Sequence, residues 1–202
     1  MDKRLLPVLL FSLGYMLAAA AWVVSRGNSE FLAYIGVLLV IAAVIWWVHH
    51  TINIPLSLLW GLSAWGVMHL AGGLMPIPET WPHSGETAVL YNLWLWPGWL
   101  KYDQFVHAYG FGITAWLCWL GLVAGLKRQG IRAQPTIGLL TLAAMASTGL
   151  GALNEIIEFI VTVFVPENNV GGYVNTALDL VFNLIGAVIA AVWIRMASNR
   201  AD

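Results

Sequence analysis

Residues 137–165 read IGLLTLAAMASTGLGALNEIIEFIVTVFV: an apolar stretch long enough to cross a bilayer, with two carboxylates, Glu155 and Glu158, set inside it. About 20 apolar residues span the hydrocarbon core as a helix. An ionised side chain at that depth costs at least about 2.5 kcal/mol, so two acids one turn apart mark a functional site by default. The same stripe carries Ala143, Ser147 and Gly151 at intervals of four. Small residues in such a row let helices approach closely, so this face points into a bundle rather than toward lipid.

The rest of the chain has the same character. Of 202 residues, 60% are hydrophobic and only 9% are charged, against roughly 25% in a soluble protein. Twelve Trp and 20 Gly point the same way, both being enriched in membrane proteins. This composition excludes a soluble enzyme, a nucleic-acid binder and a disordered tail. The net charge of −1 says nothing of partners, and the lone Cys118 excludes a disulfide framework or a Cys-rich metal site.

Six segments pass the length test: residues 5–24, 31–48, 54–75, 103–125, 137–165 and 174–195. The expected fold is all-α and polytopic, with six transmembrane helices in one integral membrane domain, 1–202. Residues 1–53 are read as apolar brace helices. Residues 54–197 are read as site-bearing helices, with an outer loop 76–102, and spans three to six form a polar-cored four-helix bundle. The first segment also resembles a signal peptide, with Lys3-Arg4 and the small residues Ala18–Ala21. The continuing Trp22-Val23-Val24 favours a retained anchor. Lys3, Arg4, Lys127, Arg128, Arg132, Arg195 and Arg200 fall on one side, and Arg26 and Lys101 on the other. The positive-inside rule therefore predicts cytoplasmic termini.

Six ionisable residues lie within spans: His69, Asp103, His107, Glu155, Glu158 and Asp179. At 1.5 Å per residue all six fall in the outer half, within about 15 Å of that surface. Asp103 and His107, like Asp179 and Asn183, are four residues apart and share a helix face. Four carboxylates converge there without Lys or Arg. Two such charges 6 Å apart repel by about 3 kcal/mol at a dielectric of 20, so the layer calls for protonation or a multivalent cation. Imidazole and carboxylate together suit a divalent transition metal, zinc first, with manganese or iron as alternatives.

His69-Leu70-Ala71-Gly72-Gly73, Tyr102-Asp103-Gln104-Phe105-Val106-His107 with Gly110, and Asn154-Glu155-Ile156-Ile157-Glu158-Phe159 resemble the YjdF-like family of bacterial inner-membrane proteins. Gly172-Tyr173, Thr176, Asp179 and Gly186-Ala187 extend the likeness over roughly residues 65–190. More distantly, the D-x-x-x-H, E and D-x-x-x-N-x-x-G layout is similar to VanZ-like proteins. The resemblance implies an inner-membrane protein with these acids and histidines as its signature, and supplies no reaction. A family member carries an acid at the position of Asn175 and a residue other than Asn at that of Asn183.

These residues lead to a metal-dependent membrane hydrolase acting on a lipid or lipid-linked substrate. His69, Asp103, His107 and Asp179 would hold the metal; of Glu155 and Glu158, one ligates and the other is the general base. Loop 76–101, rich in Trp, is read either as a lid over the site or as a plain interfacial segment. Competing readings are an ion- or proton-coupled transporter, a haem ligated by His69 and His107, and an accessory subunit whose polar layer only joins helices.

Overall fold

The computed structural model describes residues 3–165 and 170–198. Arg200, assigned above to the side of the termini, and most of the break before the last span lie outside the described residues. Six long helices follow one another among the described residues, and the first five carry a local start or stop signal. Helix α1 (Leu6–Arg26) carries Pro in its first turn, where no N–H is missed, and ends at Gly27 with φ 65°. Helix α2 (Ser29–Ile52) is capped by Asn28, whose side chain accepts the Phe31 N–H. Helix α3 (Leu56–Leu74) follows Pro55. Helix α4 (Tyr102–Arg128) opens with the Gln104 side chain accepting the Lys101 N–H at 2.8 Å. Helix α5 (Ile137–Phe164) is capped by Thr136, and α6 (Tyr173–Ser198) ends the described chain.

The protein is an all-α polytopic membrane protein. Among the described residues, five helices, all but α3, are long and apolar enough to cross a membrane by themselves. The third expected span, α3, falls short of that measure by its own composition. It has 19 residues and dilutes its leucines with Trp60, Trp65, His69, two serines and four glycines.

Helix α4 is central, packed against α6 most extensively and also against α5 and α3. Its seam with α6 is unusually close. A Cβ placed on Gly186 would lie 1.8 Å from the Ala108 carbonyl oxygen, so only glycine fits there. Ala115, Ala144 and Ala187 fill the centre of the three-helix contact. Helix α3 meets these helices differently from the expected four-helix bundle. It packs on α4 and α1, but Trp65 and His69 face α5 across a small cavity that also touches Asn154 and Glu158. Large rings keep α3 and α5 apart, where glycine and alanine bring α4 and α6 together.

The connection from Met75 to Lys101 is ordered by its own backbone hydrogen bonds. Leu90 N–H donates to Met75 O, Ile77 N–H to Ala88 O, Trp94 N–H to Pro82 O and Tyr102 N–H to Leu93 O, all at 2.9–3.0 Å. A small antiparallel hairpin, β1 (Trp94–Trp96) with β2 (Leu100–Lys101), turns at Gly98, whose φ is 76°. Trp81, Trp96 and Trp99 stay exposed, while Tyr91 is delivered to the helices below.

Candidate metal centre

Helix spacing builds the site. On α4, Asp103 and His107 stand one turn apart, with His107 Nε2 3.6 Å from Asp103 Oδ1. On α6, Asp179 and Asn183 repeat the spacing, and Asn183 Oδ1 lies 3.0 Å from His107 Nδ1. On α5, Glu155 Oε1 is 3.8 Å from the same Nδ1. These stripes are interior, as expected: Ser147, Asp179 and Asn183 are at most 1% exposed, and Glu155 and His107 are buried. Below them Ser147 donates to the Phe111 carbonyl at 2.6 Å, joining α5 to α4. Gly151 leaves the space that Asn183 occupies, since a Cβ there would meet its amide at 2.6 Å.

His107 is the hub. Asp103, His107 and Asp179 each offer an atom within 4.8 Å of the others, and so do His107, Glu155 and Glu158. The two sets share only the imidazole. Glu155 Oε2 and Asp179 Oδ1 are buried without a hydrogen-bond partner, an arrangement that is costly unless something else binds those oxygens. Nitrogen and oxygen donors from three helices, with unspent carboxylate oxygens between them, fit a divalent cation. Both His107 nitrogens face polar neighbours, an arrangement ill suited to an axial haem ligand.

His69 stands at the edge of this group. Its Nδ1 is 2.6 Å from the Tyr91 hydroxyl, and it belongs to neither ligand set. It shares a polar cavity of about 60 Å³ with Asp103, Glu158, Asn175 and Tyr34. Glu158 is half-buried, and Asn154 donates to its Oε1 at 2.8 Å. Asp103 lies in the first turn of α4, and its carboxylate is turned to a neighbouring helix rather than to the helix end. It accepts from Asn175 Nδ2 at 3.2 Å.

One element of the sequence reading is corrected outright. The acidic layer does contain a cation, Lys101, placed above among loop charges. It is buried, its Nζ lies 3.8 Å from Asp103 Oδ2, and it donates to Asn175 Oδ1. The α4 cap turns this side chain inward, and Asn175 passes the contact on to Asp179 Oδ2 at 2.6 Å. Four carboxylates against one ammonium still leave a negative surplus. Similarly, α2 starts early enough to include Glu30, which, like Tyr34, lines the polar cavity.

Sequence reasoning missed Tyr91, Asn154 and Lys101. For Asn154, adjacency to Glu155 in an apolar helix was the available signal. Tyr91 lies in an irregular loop, where no periodicity points to its target. Burial, reinforced by the negative charges of Asp103 and Glu158, pushes its hydroxyl well above the ordinary tyrosine value, so at neutral pH it is a proton-bearing partner for His69.

No curated protein and no solved structure matches the chain. Residues 7–200 match the family model described as "Predicted membrane protein (DUF2238)". With its polytopic helices and their shared acidic layer, the chain belongs to that family of membrane proteins.

Proposed function

We propose that this protein is a metal-dependent membrane enzyme, a hydrolase of lipid or lipid-linked substrates at the outer face of a bacterial inner membrane. The observation that supports it is the pair of ligand sets sharing His107, with Glu155 Oε2 and Asp179 Oδ1 buried and unpartnered beside it. Asp103, His107 and Asp179 would hold the ion, with Glu155 beside the other face of the shared imidazole, on α5. Zinc is the first choice, with manganese or iron as alternatives. A bound divalent ion supplies a water that ionises near neutral pH.

The chain's own groups then divide the remaining work. Glu158, oriented by Asn154 and bordering the polar cavity, is placed to take a proton as general base. Glu155, whose buried Oε2 has no hydrogen-bond partner among the described residues, would serve as a ligand. Lys101, directly and through Asn175, offsets part of the charge of Asp103 and Asp179 when no ion is bound. His69 is a positioning residue for the substrate rather than a metal ligand, since it belongs to neither ligand set, and the Tyr91 hydroxyl at its Nδ1 fixes the ring. The basic bias of the opposite loops favours cytoplasmic termini. The likeness of residues 65–190 to YjdF-like proteins agrees with an inner-membrane location.

The test is elemental analysis of detergent-purified protein, with His107→Ala and Glu155→Gln beside wild type. About one or two metal ions per chain, lost in both variants, supports the reading. A wild-type protein that neither retains nor rebinds zinc, manganese or iron overturns it.

A further inference from the structure

Three cavities lie in series between the acidic layer and the first two helices, each sharing lining residues with the next. The polar cavity of about 60 Å³ beside Asp103 and Glu158 shares Tyr34, His69 and Glu158 with a throat of about 20 Å³. The throat shares Leu38, Ile41 and Trp65 with an apolar cavity of about 140 Å³ between α1, α2 and α3. Helix α2 is seated at both ends, by Phe31, Tyr34 and Ile35 in one cluster and by Ile45, Val48 and Ile52 in another. Between those two clusters its side chains stand off from α1 and α3, and there the apolar cavity opens. Gly66, Val8 and Met16 line it, and Ser12 and Ser63 bond to one another, at 2.6 Å, rather than presenting unmet groups.

We propose that this series is the binding slot of a single-chain amphiphile, with one acyl or isoprenoid chain in the apolar cavity and an oxygen-rich anionic head group in the polar one. The inference rests on the metal-centre reading and deepens it by naming the substrate class. Polarity argues for an amphiphile: one end is lined by leucine, isoleucine and aromatic rings, the other by carboxylates, imidazole and amides. The throat argues for one chain. Its room is about that of one water or one methylene, so a single extended chain passes it and a two-chain glycerolipid does not. The head group argues for an anion because carboxylates alone would repel it, whereas a divalent ion held by them would draw its oxygens in. His69, through the ring nitrogen that Tyr91 does not engage, sits where it would donate to that group.

The slot is tested by photolabelling the full-length protein in nanodiscs with a diazirine-bearing lysophosphatidic acid, mapping the labelled residues by mass spectrometry. Label is expected on Leu38, Ile41, Met16 and Leu59, at least tenfold above the two-chain diazirine phosphatidic acid at the same residues. Ile41→Trp, which fills the throat, should reduce that label about tenfold. Ile41→Ala, which widens it, should retain it and controls for folding. Equal labelling by both lipids, or labelling unchanged by Ile41→Trp, overturns the slot while leaving metal stoichiometry to judge the metal centre. Cavity-confined labelling sensitive to Ile41→Trp in a protein that binds no metal supports the single-chain slot but overturns the metal reading and, with it, the metal as the reason for an anionic head group.

Discussion

Replacing Lys101 by methionine separates a metal centre from a self-contained polar layer. Lys101 Nζ lies 3.8 Å from Asp103 Oδ2, and both side chains are nearly buried, at 9% and 13% exposure. At an effective dielectric of 20 this pair attracts by 332/(20 × 3.8), or about 4 kcal/mol. Methionine keeps the length and packing of the stem but removes the charge, so metal-free Lys101→Met protein should lose stability up to that amount. At roughly 2–4 °C per kcal/mol for a chain of this size, the apparent Tm falls by about 8–16 °C at most. The ammonium also repels any dication held by Asp103, so its loss strengthens metal binding. Thermal unfolding with and without zinc, in the same detergent, reads both effects. The variant should start lower and gain more from zinc than wild type does, with a zinc Kd lower by tenfold or more. A variant that loses stability but gains nothing from metal would show that the layer is balanced by Lys101 alone, and the metal centre would be refuted.

Other perturbations have equally definite outcomes. Asp179→Asn, which removes a buried charge but preserves shape, should lower zinc retention at least tenfold, measured by elemental analysis after dialysis against a weak chelator. Gly186→Leu should leave little folded protein by size-exclusion chromatography, because the new Cβ would begin 1.8 Å from the Ala108 carbonyl oxygen; overpacking alone costs about 1–3 kcal/mol, and here backbone must move. Tyr91→Phe deletes the 2.6 Å bond to His69, a loss of about 1 kcal/mol, and should speed proteolysis within residues 76–101. The Tyr91 hydroxyl has its folded pKa raised above the ordinary value near 10. Its contribution is complete below that value and is lost as pH rises toward the folded one. Tyr91→Phe should therefore flatten the decline of Tm between pH 9 and pH 11.

Much of this protein was legible before any coordinates. Hydropathy located the six helices, because a chain with so few charges can hide its backbone polar groups only in helices that span lipid. The 3.6-residue repeat then placed residues that share a helix on one face: Asp103 with His107, Asp179 with Asn183, and Glu155 with Ser147 and Ala143. These relations are local, and no tertiary contact is needed to establish them. Which faces meet is another matter. The α4–α6 seam depends on Gly186 fitting against Ala108, and the separation of α3 from α5 depends on the volumes of Trp65 and His69. Lys101 reaches the acids from the end of α4, which begins at Tyr102 with Gln104 accepting the Lys101 N–H. Tyr91 reaches His69 only because the loop closes on Met75 and Pro82. Sequence alone decided that acids and imidazole lie on shared faces of apolar helices; tertiary structure decided that His107 joins them, because distances between helices are set by the side chains packed between them and not by any period along a single helix.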